Sequence, residues 1–233
     1  MALAPNTLFT LPELTPVLRE ELALLPAHAA RQPAGRALIV QPHAGSLPVD
    51  VRHLAATRLH ADEDMLRGDV ACVSRALPFE DEAFQLVLAQ HAGDALPGDN
   101  GLIEELARVM APGGALLWFG FNPWSPWLAW IHWRSRGGRA PQPVHADALR
   151  RRLMHLRLAT VGVDYLGTCW PRAVAPTMAT PSRYSQLLAP LRGAYLVTAR
   201  KQRAVLTPLR PRARKNMMLG SRLAGTPSQR ACA

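Results

Sequence analysis

Apolar residues recur at helical spacing in Val17, Leu18, Leu22 and Leu25, and Pro26 closes the run, which predicts an N-terminal helix over 15–25. Residues 37–41 (ALIVQ) form an unbroken apolar run between Gly35 and Pro42, the form of a parallel strand covered on both faces. Residues 57–60 and 69–74 (DVACVS) read as further short strands bounded by polar residues, and 84–89 (FQLVLA) repeats the buried pattern. Beyond a loop holding Pro97, Gly98 and Gly101, the residues Leu102, Leu106, Val109 and Met110 share one helix face, opposite Glu104, Glu105 and Arg108. Pro112-Gly113-Gly114 is expected to stop that helix and release a strand over 115–121 (ALLWFGF). Ser125 followed by Pro126 marks an N-cap with proline at the first helical position, and Trp127, Trp130, Ile131 and Trp133 lie on that helix. Leu149, Leu153 and Leu156 mark one more helix. Residues 159–166 and 194–199 are expected as a terminal strand hairpin, joined by a long loop with Pro171, Pro176, Pro181 and Pro190. This alternation of strands and helices places the chain in the α/β class.

Charge changes the picture only at one end. The 233 residues carry a formal charge of +10, yet residues 1–199 hold 18 Arg against 17 acids. From Arg200 onward there are nine basic residues and no acid, so the basicity belongs to the tail, which is expected to be disordered. Cys72, Cys169 and Cys232 are widely spaced, without the pairing of a disulfide framework or a zinc site, which points to a reducing cytoplasm. No signal peptide is visible, because Glu13, Glu20 and Glu21 interrupt the first apolar stretch. The most apolar run, 115–131, is broken by Asn122, Pro123, Ser125 and Pro126, so no transmembrane segment is expected.

The sharpest chemical signal is compound. Leu77-Pro78-Phe79, the acidic turn Glu80-Asp81-Glu82 and Phe84-Gln85-Leu86-Val87 are followed by Arg108-Val109-Met110-Ala111-Pro112-Gly113-Gly114. In order and spacing this resembles the small-molecule, type 11 branch of the class I S-adenosylmethionine-dependent methyltransferases. Asn122-Pro123-Trp124-Ser125 after the fifth strand and the basic C-terminus are similar to small bacterial members of that superfamily. The resemblance implies a Rossmann-like seven-stranded sheet, mostly parallel, with a C-terminal antiparallel hairpin and helices on both faces. It also implies a division into an N-terminal helix and link (1–34), the methyltransferase-like domain (35–202) and a basic tail (203–233).

The same resemblance implies S-adenosyl-L-methionine as cofactor, lying across the carboxyl ends of the first strands. Gln41, Pro42, His43 and Gly45 then form the first turn, where Gly45 alone remains of the usual glycines. The ribose position falls at His60 or Asp62, the adenine side at Val73, Ser74, Arg75 and Leu77, and Ala89 and Gln90 end the fourth strand. For an acceptor with an exchangeable proton, His91 or His43 is a candidate base as a neutral imidazole. Asn122 is placed either to bond the substrate or to cap the following turn. Trp124, Trp127, Trp130 and Trp133 cannot all face inward on one helix, so some, with Trp124, Trp127 and Trp130 as the candidates, are expected to line an apolar or aromatic acceptor pocket or lie against an apolar surface, the alternative being core packing. Serine hydrolase chemistry, a phosphate-binding loop and a metal site find no motif here.

Two readings follow. One is methyl transfer to an unidentified small-molecule acceptor. The other is a catalytically silent methyltransferase-like binding protein, contacting nucleic acid or an anionic surface nonspecifically through its arginine tail.

Overall fold

The computed structural model describes residues 5–51, 53–96, 98, 101–135, 141–171 and 188–202. The expectations for the tail 203–233 and for Pro97, Pro176, Pro181 and Cys232 lie outside these residues. The chain begins with a 3-10 turn, Pro5–Thr10, and helix α1 (Thr15–Ala29). Helix α1 runs past Pro26, where the sequence pattern ended it. The Ala30 amide bonds the Pro26 carbonyl and His53 Nε2 donates to Ala29 O at 2.9 Å, so the last turn is secured from outside the helix.

Strands β1 (Gly35–Gln41), β2 (Leu54–Asp62), β3 (Met65–Gly68), β4 (Cys72–Val73) and β5 (Phe84–Gln90) follow. Next come the short helix α2 (Ala92–Ala95), α3 (Leu102–Val109), β6 (Met110–Phe121), α4 (Pro126–Arg134), α5 (Ala146–His155), β7 (Leu158–Leu166) and β8 (Ala194–Lys201). The strands form one eight-stranded sheet in the order β4-β3-β2-β1-β5-β6-β8-β7. Its centre is parallel, β1 with β2 and β5, and β5 with β6. Strand β8 inserts antiparallel between β6 and β7, so the expected terminal hairpin is present.

Eight strands instead of seven reflects a correction on the β2 side. A helical crossover to a parallel neighbour needs about a dozen residues or more, and 63–71 is too short for one. The chain instead turns back at Glu63, whose φ is 53°, and β3 pairs antiparallel with β2. Gly68 fixes that hairpin: its φ is 143° and any side chain there would collide with the Arg58 carbonyl. The strand expected over 69–74 is thereby reduced to β4 at the sheet edge, one place further out. Among the described residues of 42–53 there is no helix either, so β1 reaches β2 through a loop.

The compound motif is one polar lock. Arg108 Nη2 donates to Leu77 O and Nη1 to Phe79 O, both at 2.9 Å, and the guanidinium also binds Glu105 and Asp81. Glu105 Oε2 in turn accepts from the Leu77 amide at 2.8 Å. Helix α3 thus holds the 77–81 loop against itself. The helix already ends at Val109, and Pro112-Gly113-Gly114 lies inside β6, beside the register shift between Phe84 and Leu86. Lys201, at the end of β8, caps the α3 terminus by donating to the carbonyls of Ala107 and Met110 at 2.9 and 2.8 Å.

Burial follows the strand pattern. Residues Ala37–Val40, Leu86–Ala89 and Leu116–Phe119 are buried almost completely, and Leu14, Val17, Leu18 and Leu25 of the N-terminal segment join the same core. Each such large side chain contributes roughly 1.5–3 kcal/mol.

Candidate functional site

In an open α/β sheet, ligands lie outside the carboxyl ends of the strands where the strand order reverses. That point here is the pair β1/β5, since β2 continues the sheet on one side and β6 on the other. Gln41 ends β1 and Gln90 ends β5, and their amides meet, Gln41 Nε2 donating to Gln90 Oε1 at 3.2 Å. Gln41 Nε2 also donates to Leu47 O at 2.9 Å, tying down the loop after β1.

From Gln90 the network continues into α1. Gln90 Nε2 donates to Glu21 Oε2 and His91 Nε2 to Glu21 Oε1, each at 2.9 Å. His91 Nδ1 reaches Asp94 Oδ2 at 2.8 Å, and the same oxygen accepts from the Phe121 amide at 3.0 Å. Glu21 and His91 are wholly buried. Burial by itself would lower the His91 pKa, but the two carboxylates, Glu21 foremost, outweigh it and raise it to about 10. His91 is therefore held as an imidazolium with both nitrogens donating, and it has no lone pair with which to act as the base its position suggested. Its backbone is also left-handed, with φ 48° and ψ 18°, a costly state for a residue with a side chain.

His43 is the opposite case. Burial, and then the nearby His60, lower its pKa, and its Nδ1 accepts from the Gly45 amide at 3.0 Å. Of the two candidate bases it is the neutral one.

Phe9 closes the rim from above. Its ring lies 5.6 Å from His91, 5.8 Å from Phe121 and 6.5 Å from His43. Between this segment and the first turn remains a cavity of about 230 Å³, lined by Phe9, Thr10, Thr15 and Leu18 on one side and His43, Gly45, Ser46 and Leu47 on the other.

The structure thus brings Gln41, Pro42, His43, Gly45, Ala89, Gln90 and His91 to one place. Others lie apart. His60 pairs in register with Gln41 on β2, but the Asp62 carboxylate is bound to Arg67 Nε at 2.6 Å. Val73 is 48% exposed at the sheet edge, and the inserted β3 sets Val73, Ser74 and Arg75 three strands from β1, roughly 14 Å at the usual strand spacing. Leu77 is buried in the Arg108 lock.

Asn122 spends its amide on backbone: Nδ2 donates to the carbonyls of Pro190 and Arg192, and Oδ1 accepts from the Trp124 amide. It is the turn cap of its two readings. The tryptophans part company as their number required. Trp127 is buried with Nε1 donating to Thr168 O at 2.7 Å, Trp130 packs edge-on against it, and Trp124 is 73% exposed beside His145. None of the three lines the rim cavity.

Sequence reasoning missed Phe9, Glu21 and Asp94. The available signal was Glu21 itself, an acid on the apolar stripe of Val17, Leu18 and Leu25, where an unpaired charge would be prohibitive. Among the described residues no group of three or more His, Cys, Asp or Glu side chains is arranged to hold a metal ion, and no helix is long and apolar enough to cross a membrane.

Residues 35–118 match the model of the methyltransferase domain family. The chain carries a methyltransferase domain. A stretch of 60 residues is 40% identical to phthiotriol/phenolphthiotriol dimycocerosates methyltransferase 1 of Mycobacterium ulcerans (strain Agy99). That stretch is 26% of this chain and spans only about a fifth (21%) of the relative's length. The fold of the domain is shared with a SAM-dependent methyltransferase from Archaeoglobus fulgidus, at 13% identity and a TM-score of 0.50 over 77% of this chain and 92% of that one. Geranyl diphosphate C-methyltransferase from Streptomyces coelicolor A3(2) is similar at 14% identity and a TM-score of 0.48, over 78% and 76% of the two chains.

Proteins of this kind use S-adenosylmethionine, and the rim can be tested for it. Sites for ligands of that size measure roughly 300–1,000 Å³, whereas the cavity here is about 230 Å³ and half its wall is the N-terminal segment. The Gln90 and His91 side chains are sealed under Glu21, and the only acid at the ribose position faces Arg67. As arranged, these residues do not fit the cofactor.

Proposed function

We propose that the chain is an S-adenosylmethionine-dependent methyltransferase acting on a small acceptor of apolar or aromatic character. The observation that carries this reading is the convergence of Gln41, His43, Gln90 and His91 on the β1/β5 switch point of a methyltransferase-type sheet. The Mycobacterium relative, by its name, methylates phthiotriol and phenolphthiotriol dimycocerosates, which supports the apolar class. In such a reaction the cofactor supplies the reactive carbon and the protein aligns the nucleophile. His43 is the neutral imidazole of the two, and it can take an acceptor's proton only once its Nδ1 lone pair is released from the Gly45 amide.

A second reading, a catalytically silent binding protein, is favoured by one specific observation: the cofactor end of the rim is filled by Phe9 and Glu21. Contact of the arginine-rich tail with nucleic acid belongs to that reading.

Photochemical cross-linking of S-adenosylmethionine labelled in its methyl group, followed by peptide mapping, separates the two. Label between residues 35 and 50 or 84 and 96 that S-adenosylhomocysteine displaces is the expected result. Label that is absent or undisplaced both in the unmodified chain and in its Glu21→Gln variant would establish the silent reading.

A further inference from the structure

The misfit between rim and cofactor has a specific cause, and the cause is the chain's own N-terminus. We propose that Phe9 and Glu21 compete with S-adenosylmethionine for the carboxyl ends of β1 and β5, so that the cofactor binds only a form in which the N-terminal segment has withdrawn. The proposal rests on the methyltransferase reading above.

Three features support it. At the switch point the Gln90 side-chain nitrogen and His91 Nε2 both bond a single side chain of α1, Glu21, one to each of its oxygens. A buried carboxylate is tolerable only while it is paired, so the docking of α1 is conditional on those two partners and not merely on apolar packing. Phe9 separately covers the rings of His43, His91 and Phe121, the surfaces nearest the first turn.

The remaining cavity is bounded on one side by Phe9, Thr10, Thr15 and Leu18, and on the other by the first turn. Withdrawal of the segment removes the first wall and uncovers Gln90 and His91 at once. Cavity and network thus open by one movement.

The consequence is quantitative. A ligand that binds only a minor form has its affinity reduced by the fraction of that form. Titration calorimetry with S-adenosylhomocysteine on the full chain and on its Phe9→Ala and Glu21→Gln variants measures the effect, with hydrogen exchange over α1 reporting withdrawal. Glu21→Gln preserves side-chain shape, which keeps the comparison usable where Phe9→Ala fails to fold. Both variants should exchange faster in α1 and bind at least about tenfold tighter than the unmodified chain. Variants that bind no more tightly, or whose α1 exchanges as before, overturn the proposal. Tight binding by the unmodified chain with α1 still protected overturns it too, but leaves the methyltransferase reading standing. Variants that release α1 and still give no heat sink both.

Discussion

Glu21 decides more about this molecule than any residue of the family motif. Its carboxylate and that of Asp94 hold the buried His91 charged, and removing one partner of a buried pair leaves the other uncompensated. Glu21→Ala should therefore cost about 3–5 kcal/mol of stability in urea unfolding. The His91 pKa is raised, from about 6.5 in the unfolded chain to about 10 in the folded one. Its stabilising contribution is thus full below about pH 6.5 and is lost as pH climbs through the folded value. Unfolding free energies of the unmodified chain should fall between about pH 6.5 and about pH 10, and His91→Asn should flatten that slope. At this scale the sequence was half legible. His91 was singled out from its place after a buried strand, but its partners come from a helix 70 positions earlier and from a short helical turn. No local pattern announces such a pairing, and with it the protonation state changes sides.

At the scale of elements, the periodicities were readable wherever one principle ruled. The Ser125 cap with Pro126 formed as expected, Ser125 Oγ accepting from the Trp127 amide, and α5 buries Leu149 and Leu153. The β2 side was misread because a short connection overrode the strand pattern, turning an expected parallel neighbour into an antiparallel hairpin. The motif Leu77-Pro78-Phe79 and the run beginning at Arg108 were legible as a unit, and their reason is mechanical. Arg108 is the clasp between α3 and the loop, so Arg108→Ala should free the Leu77 and Phe79 carbonyls and speed hydrogen exchange across 76–84. A loss of about 2 kcal/mol is expected for removing hydrogen bonds to a charged group. Arg108→Lys should recover only part of it, since an ammonium cannot reproduce the fork.

The whole molecule joins a methyltransferase sheet to two features of its own, a filled rim and a basic tail. Nine of the ten net charges lie at or beyond Arg200, and seven of the basic residues lie within 203–233. Truncation after Gln202 should abolish salt-dependent retention on a polyanion column, and retention that persists would place the contact elsewhere on the chain. The sheet order makes β1/β5 the natural ligand site, and the N-terminal segment occupies it. Both statements bear on the same few square nanometres of surface. Hydrogen exchange of the unmodified chain, followed while S-adenosylhomocysteine is added to saturation, reads both sides of that surface at once. Amides of 41–47 should slow while those of α1 speed up. Slowing in both segments together, or no change in either, would contradict a rim that the cofactor and the N-terminus take in turn.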